Sequence, residues 1–340
     1  MTPLVSILIP CFNAERWVAQ AIESARSQTW PEKEVIVIDD GSTDASLKVI
    51  KNFDGRIRWE TGPNRGANLA RNRLLELARG DWLQYLDADD YLLPEKIERQ
   101  LEFLAAHPDT DVVFGPVTME HFDAKDSRRE LLPIPDPHDP WILLVRVFLP
   151  QTGSLLWRKE AVLDVGAWKP DQPCYQDQEL YLRLLMAGKR FAYCPHAGAV
   201  YRQWGEHTVS KRDMPEVHRQ RLEIEQRAED FLRGCGELTP ARLYAINQGR
   251  FETARSVWQY DRACATKIME AVCRLQPDFV PSGNYAPRRY QSIYRLFGFR
   301  AAEKAADMRR NLMNRLSAVI CSPAVIDHLV PSMYSDGSSR

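Results

Sequence analysis

The sequence has no apolar run long enough to cross a bilayer. Its early run, Leu4–Pro10, is far too short and follows no basic stretch, so neither a span nor a signal peptide is expected and the chain reads as soluble and cytoplasmic. It has no excess of one charge: 45 basic residues stand against 46 acidic ones, which excludes nucleic acid held by global charge and leaves any electrostatic partner to be met locally. CxxC spacing is absent. The seven cysteines, Cys11, Cys174, Cys194, Cys235, Cys264, Cys273 and Cys321, are scattered, which fits reduced thiols rather than a disulfide framework or a zinc site. Glycine is missing where nucleotide loops need it. No GxGxxG follows the first apolar segment, where "IPCFNAERW" stands, and GxxxxGK[ST] occurs nowhere, which excludes the dinucleotide-binding and P-loop classes.

What is there is an alternation. Within 340 residues, room for two domains of about 100–200 residues each, short β-branched and apolar runs at 4–9, 34–38, 56–60, 82–86 and 111–115 are separated by helical spacing at 14–28, 43–52, 66–79 and 94–106. This pattern predicts an α/β fold with a mostly parallel central sheet and flanking helices. Ligands of such sheets collect at the carboxyl ends of the strands. Three polar segments fall there: "CFN" after the first strand, "DDGSTD" after the second and "DADD" after the fourth. Residues 123–140, rich in Pro, Asp and His, read as a mobile surface loop. "TGSLLWR" (152–158) then reads as a strand, 176–187 as a helix, and "RFAYCP" and "AVYR" as two more strands. Beyond Pro215 helix formers dominate, with helical spacing at 216–233, 240–259, 262–275 and 288–318. The expected organisation is one domain over 1–215, a C-terminal α-helical accessory region over 216–330 and a flexible tail over 331–340.

The segment "WLQYLDADDYLLP" (82–94) packs Asp87, Asp89 and Asp90 into four positions. Like charges this close persist when fully solvated or when a cation occupies them. Solvation alone does not explain why they directly follow an apolar strand on the ligand edge. An EF-hand would use Asp87, Asp89 and Glu98, but Tyr91 stands where an oxygen ligand is needed and Leu92 where the turn requires Gly. A phosphatase-type aspartate nucleophile would want a downstream GDxxxD with a preceding Lys, and none is evident.

Taken together, "VSILIPCFNAERWVAQAIESARSQTWPEKEVIVIDDGSTDAS", "NRGANLARNRLLELARGDWLQYLDADDYLLP" and "CYQDQELYLRLLMAGKRF" resemble, in order, the blocks of the inverting nucleotide-sugar glycosyltransferases of family 2, across about the first two thirds of the chain. The resemblance implies a GT-A fold, which is Rossmann-like, and metal-dependent transfer of a sugar from a nucleotide diphosphate sugar, UDP-sugar favoured, to a hydroxyl acceptor. It implies Mn2+ or Mg2+ as cofactor, a carbohydrate or lipid-linked glycan as acceptor, and cell-surface polysaccharide or glycan synthesis as the setting. By matching position, Phe12, Asp40 and Arg71 fall at the nucleotide base, Pro10 among the residues that bind the nucleotide sugar, Asp87 at the ribose or a metal-bound water, and Asp89 on the metal. Asp177 falls at the general base, and His207 on the metal or a phosphate, with Arg202 or Lys211 as a cationic contact. Gly153, Ser154 and Trp168 fall on the acceptor side. Phe12 stands where many members have Tyr, and Gln176 where Glu is common.

The residue types suit these roles: uracil asks for a carboxylate, a positive donor and a flat apolar face, and a departing diphosphate asks for a hard dication. They also suit plainer ones. Asp40 serves as a turn or cap residue, Phe12 and Trp168 as core aromatics, Asp90 as a helix cap, Asp177 as an acid favoured by the helix dipole, Glu179 as its neighbour or rival, and His207 as an exposed loop residue. Two further readings stay open: a catalytically silent sugar-nucleotide-binding or scaffold protein of the same fold, and a metal-dependent phosphoryl-transfer enzyme. Between Asn284 and Val325 eight Arg and Lys face two acids, with aromatics interleaved. That pattern predicts either peripheral contact of 284–325 with the inner face of a membrane or a helix that packs its aromatic face on the transferase domain with its arginines in solvent.

Overall fold

The computed structural model describes residues 2–123, 126–204 and 213–320. The chain runs β1 (Val5–Cys11), α1 (Val18–Arg26), β2 (Lys33–Asp39), α2 (Ser46–Lys51), β3 (Arg58–Thr61), α3 (Ala67–Leu77), β4 (Trp82–Tyr85), β5 (Tyr91–Leu92), α4 (Lys96–Ala106), β6 (Val112–Phe114), β7 (Val117–Asp123) and β8 (Asp126–Leu132). It continues through α5 (Pro140–Val145), a 3-10 turn (Thr152–Ser154), β9 (Leu156–Arg158), α6 (Lys159–Asp164), α7 (Gln176–Met186), β10 (Phe191–Tyr193), β11 (Ala199–Gln203), α8 (Met214–Gly234), α9 (Pro240–Val257), α10 (Arg262–Leu275) and α11 (Arg288–Ile320). Two compact units divide between Gly249 and Arg250.

Ile7–Cys11 of β1 and Val35–Ile38 of β2 are continuously apolar, and successive residues point to opposite faces. Leu8, Ile36 and Ile38 therefore join a core on one face of the sheet, while Val5, Ile7, Ile9, Val35 and Val37 join the core on the other. Each such side chain, fully buried, contributes roughly 1.5–3 kcal/mol. The resulting seven-stranded sheet has the order β10-β6-β9-β4-β1-β2-β3. All its pairings are parallel except those of β9, which runs against both β4 and β6.

The carboxyl ends of β1, β2 and β4 lie side by side. The register brings Cys11 opposite Asp39, the Asp40 amide donates to the Cys11 carbonyl at 2.8 Å, and the Leu86 amide to the Leu8 carbonyl at 2.9 Å. Phe12, Asp40 and Asp87 thus emerge on one edge.

Two expectations fail locally. Residues 123–140, read as a loop, contain β8 and the end of β7, which pair antiparallel, with Glu120 opposite Arg129. Charged side chains on an outer hairpin mask the period-2 signal that an apolar face would give. Pro140 opens α5, with the Asp139 carboxylate accepting from the Trp141 amide at 2.9 Å, so the proline that suggested a loop is a helix-start residue. The hairpin joins a second sheet of order β5-β11-β7-β8.

In the first unit Ile224, Ala228 and Leu232 of α8 share the core with Trp157 and Leu180. In the second, Tyr290, Tyr294 and Phe299 of α11 surround Phe251. The six described cysteines are free thiols.

Candidate active site

Four elements meet at the carboxyl edge. Where β2 ends, Asp40 is buried and both its carboxylate oxygens accept backbone amides, from Arg65 at 2.8 Å and Gly66 at 2.9 Å. These amides open the approach to α3, so Asp40 holds the positive end of that helix. Gly66 has φ 96°, a conformation that favours glycine. The turn reading of Asp40 is therefore realised, and each carboxylate oxygen retains a further lone pair. Asp40 lines a cleft of about 320 Å³ with Thr61, Arg65 and Arg73. Phe12 is 50% exposed, which removes the core reading and leaves its face available; Pro10, the last residue of β1 but one, is half-buried.

Arg71, on α3, is buried and joins the other parts. Its guanidinium donates to Asp87 Oδ1 at 3.0 Å and to Gln176 Oε1 at 2.7 Å, and lies 4.8 Å from the centre of the Trp168 ring. Trp168 is 1% exposed, so it is a platform for Arg71 and not an exposed acceptor-stacking face. Asn68 and Asn72, on the same helix, bond the carbonyls of Lys169 and Trp168 and tie α3 to the segment before α7.

The "DADD" turn is answered by one buried arginine. Arg202 on β11 donates from its backbone amide to Asp90 Oδ1 at 2.8 Å and from its side chain to the Asp89 carbonyl at 2.9 Å. The rings of Trp17 and Tyr91 lie 4.6 and 4.5 Å from its guanidinium, and Glu120 of the hairpin pairs with it at 3.2 Å. Asp90 thus holds β11 and does not cap a helix; α4 starts later, at Lys96. Arg202, matched to a cationic donor contact, is committed to this network. Trp204 Nε1 donates to Asp89 Oδ2 at 3.0 Å. Burial, and then the neighbouring Asp87 charge, raise the Asp89 pKa above the ordinary carboxylate value.

Asp177 stands in the first turn of α7, after Tyr175 in the left-handed region at φ 51°, a strained conformation for a non-glycine residue. Burial raises the Asp177 pKa, opposed by the positive charge of Arg71. Glu179, two residues on, takes no part. It is 2% exposed and ion-paired to Lys169 at 2.8 Å, Arg183 at 2.7 Å and Arg227 at 3.1 Å. Burial alone would raise its pKa, but hydrogen bonds from Lys169 and Arg183 win and lower it.

The fold therefore brings Asp87, Arg71, Gln176 and Asp177 into one linked cluster, with Asp89 two residues from Asp87 and Asp40 and Phe12 on the adjoining strand ends. His207 and Lys211 lie outside the described residues. Among the described residues no group of three His, Cys, Asp or Glu is assembled as a metal cage. Asp89 nonetheless fits a hard dication by its chemistry: a carboxylate made proton-avid by burial and by a second carboxylate is relieved equally by a cation. The Glu120–Arg202 pair, the Trp204–Asp89 bond and the bridging role of Gln176 were not legible in the sequence, because these partners lie 82, 115 and 105 positions apart.

The glycosyl transferase family 2 profile matches residues 6–159. An uncharacterized glycosyltransferase of Haemophilus influenzae is 43% identical over 106 residues, 30% of this chain and 42% of that protein. The putative teichuronic acid biosynthesis glycosyltransferase TuaG of Bacillus subtilis is 38% identical over 106 residues, with the same two shares. The chain thus spans less than half the length of these relatives. The crystal structure of S. aureus TarS 1-349 in complex with UDP-GlcNAc superposes with a TM-score of 0.55 at 15% identity, covering 91% of this chain and 92% of that one. At that identity the likeness is one of fold, and the fold is GT-A.

Proposed function

Taking residues 6–159 as a domain of glycosyl transferase family 2, we propose that the protein is a metal-dependent inverting glycosyltransferase. It moves a sugar from a nucleotide diphosphate sugar, UDP favoured, to a hydroxyl of a carbohydrate or lipid-linked glycan in cell-surface polysaccharide synthesis. The likeness to TuaG, named as a putative teichuronic acid biosynthesis glycosyltransferase, supports the setting, and the UDP-GlcNAc complex of TarS supports the donor. Residues 1–215 are the catalytic domain in this reading and 216–330 its helical accessory region, with the site at the cytoplasmic side.

The observation that carries the proposal is the Arg71 bridge, which links Asp87 of the "DADD" turn to the residue before Asp177. Phe12 stacks on the base and Asp40 accepts its N3–H, with Pro10 beneath; Asp87 takes the ribose hydroxyls. Asp89, with His207, would hold Mn2+ or Mg2+, whose charge offsets that of the diphosphate leaving group. Asp177 accepts the proton of the acceptor hydroxyl while that oxygen bonds the anomeric carbon from the face opposite the diphosphate. The anomeric C–O bond breaks, its electron pair leaves on the nucleoside diphosphate, and configuration inverts. A raised proton affinity at Asp177 suits a general base.

Release of UDP from UDP-sugars with Mn2+, with and without EDTA, tests this. EDTA and Asp89→Ala are each expected to reduce release by about 10²-fold or more. Release indifferent to both would remove the metal from the account, and release of inorganic phosphate in place of UDP would indicate phosphoryl transfer.

A further inference from the structure

In α11 the helix breaks at Gly298, which has φ 76° and ψ −178°. The break sorts its neighbours. Phe299 turns in beside Phe251, with Tyr290 and Tyr294, whereas Leu296 and Phe297 stand 74% and 71% exposed, side by side. Past the break, Arg300, Lys304, Met308 and Leu312 recur every four residues and so share one exposed line, with Met308 and Leu312 at 67% and 59%.

The charges are sorted too. Arg288, Arg289, Arg295, Arg300, Lys304 and Arg309 are exposed. The acids of the described part of α11 face inward: Glu303 is fully buried against Arg255 and Tyr290, and Asp307 is bound by Arg262 and Arg310. Arg300 reaches Glu270 of α10 at 3.5 Å, an exposed pair of little strength. The aromatic half of the helix is thus spent on its own unit's core, and a separate apolar pair sits among exposed cations of which Arg300 alone has an acid partner among the described residues. A protein partner would be expected to meet these arginines with acids. A sheet of anionic headgroups over hydrocarbon meets both the cations and the adjacent apolar tips.

We infer that α11 is a membrane-surface element that docks on anionic lipid headgroups, with Leu296 and Phe297 entering the interface at the Gly298 break. None of the described helices is long and apolar enough to cross a membrane, so the contact is peripheral. Binding has two parts, an electrostatic one that salt screens and an apolar one that it does not.

The test sediments the full chain with vesicles of phosphatidylcholine alone and of phosphatidylcholine with phosphatidylglycerol, without donor or acceptor, so its outcome is separate from that of the transferase reading. Binding is expected to the anionic vesicles, weakened at 0.5 M salt. Leu296→Ser with Phe297→Ser, both at exposed positions, is expected to weaken it by about tenfold or more. Phe297→Trp places a reporter at the break, and bromine-labelled lipid is expected to quench it. Undiminished binding of the double variant, no quenching, or no preference for the anionic vesicles overturns the inference. A parent chain that self-associates in velocity sedimentation, loses this with the double variant and ignores vesicles would give the face to a second copy.

Discussion

Arg71 Nη1 donates to Gln176 Oε1 at 2.7 Å, joining α3 to the first residue of α7 across 105 positions of sequence. The other terminal nitrogen holds Asp87 at 3.0 Å, and the guanidinium stacks on Trp168. One planar cation thereby sets the spacing between the "DADD" turn and the start of α7, where Asp177 stands. A planar fork can do this because its donors point in fixed directions.

Arg71→Lys keeps the charge and loses the fork and the stacking. Its kcat/KM for donor turnover is expected to fall by about 10²-fold, the scale of a misplaced reacting group, while near-UV circular dichroism stays native. Steady-state kinetics at equal metal concentration checks this, and an unchanged kcat/KM contradicts the bridging role.

Arg202 holds the Asp89 carbonyl and is itself held by Glu120. Arg202→Lys is expected to raise the donor KM more than it lowers kcat, because the Asp89 carbonyl and Glu120 lose a shared clamp. Arg202→Ala keeps the backbone amide that holds Asp90 and leaves Glu120 paired with Arg129 alone, and is expected to cost about 1.5–3 kcal/mol in urea unfolding, the scale of lost hydrogen bonds to a charged group. Equal effects on KM and kcat in the Lys variant would place Arg202 in the chemistry itself.

Much of this was legible in the sequence, and for physical reasons. Ile7–Cys11 of β1 and Val35–Ile38 of β2 are continuous apolar runs because both faces of a parallel sheet are covered, and the polar segments after β1, β2 and β4 fall on one edge by the topology of right-handed crossovers. Asp177 at a helix start was legible from its block. The hairpin β7–β8 was hidden by its charges, and α5 by a proline read as a breaker. Trp168 and Arg202 could not be placed, since a buried cation or ring and an exposed one look alike in sequence; what separates them is a partner such as Glu120, 82 positions away. Glu179 looked like a rival base until its three cations were seen.

Glu179→Gln removes a charge that Lys169, Arg183 and Arg227 share. Unfolding free energy is expected to fall by about 2–4 kcal/mol at neutral pH, below the largest buried-pair effects because Lys169 and Arg227 reach solvent. The Glu179 pKa is lower in the folded chain than its ordinary 4.5, so the unfolded chain binds the proton more tightly. Its contribution is complete above about 4.5 and is lost as pH falls through the lower folded value. The difference between parent and variant in denaturant midpoint is therefore expected to shrink on acidification; a difference that grows contradicts the ion cluster.

The central claim divides the labour: Asp89 and its surroundings hold the donor diphosphate, and Asp177 takes the proton. Its most direct test is one variant, Asp177→Asn, carried through UDP–Mn2+ calorimetry and donor turnover against pH. The account predicts UDP affinity within about threefold of the parent and turnover lower by about 10²–10⁴-fold, the range of a lost general base. In the parent, kcat/KM rises with pH along a limb centred above the ordinary 3.8, because burial raises the Asp177 pKa and the ionised form is the active one; the variant lacks that limb. Parental turnover with the limb intact in Asp177→Asn would contradict the account.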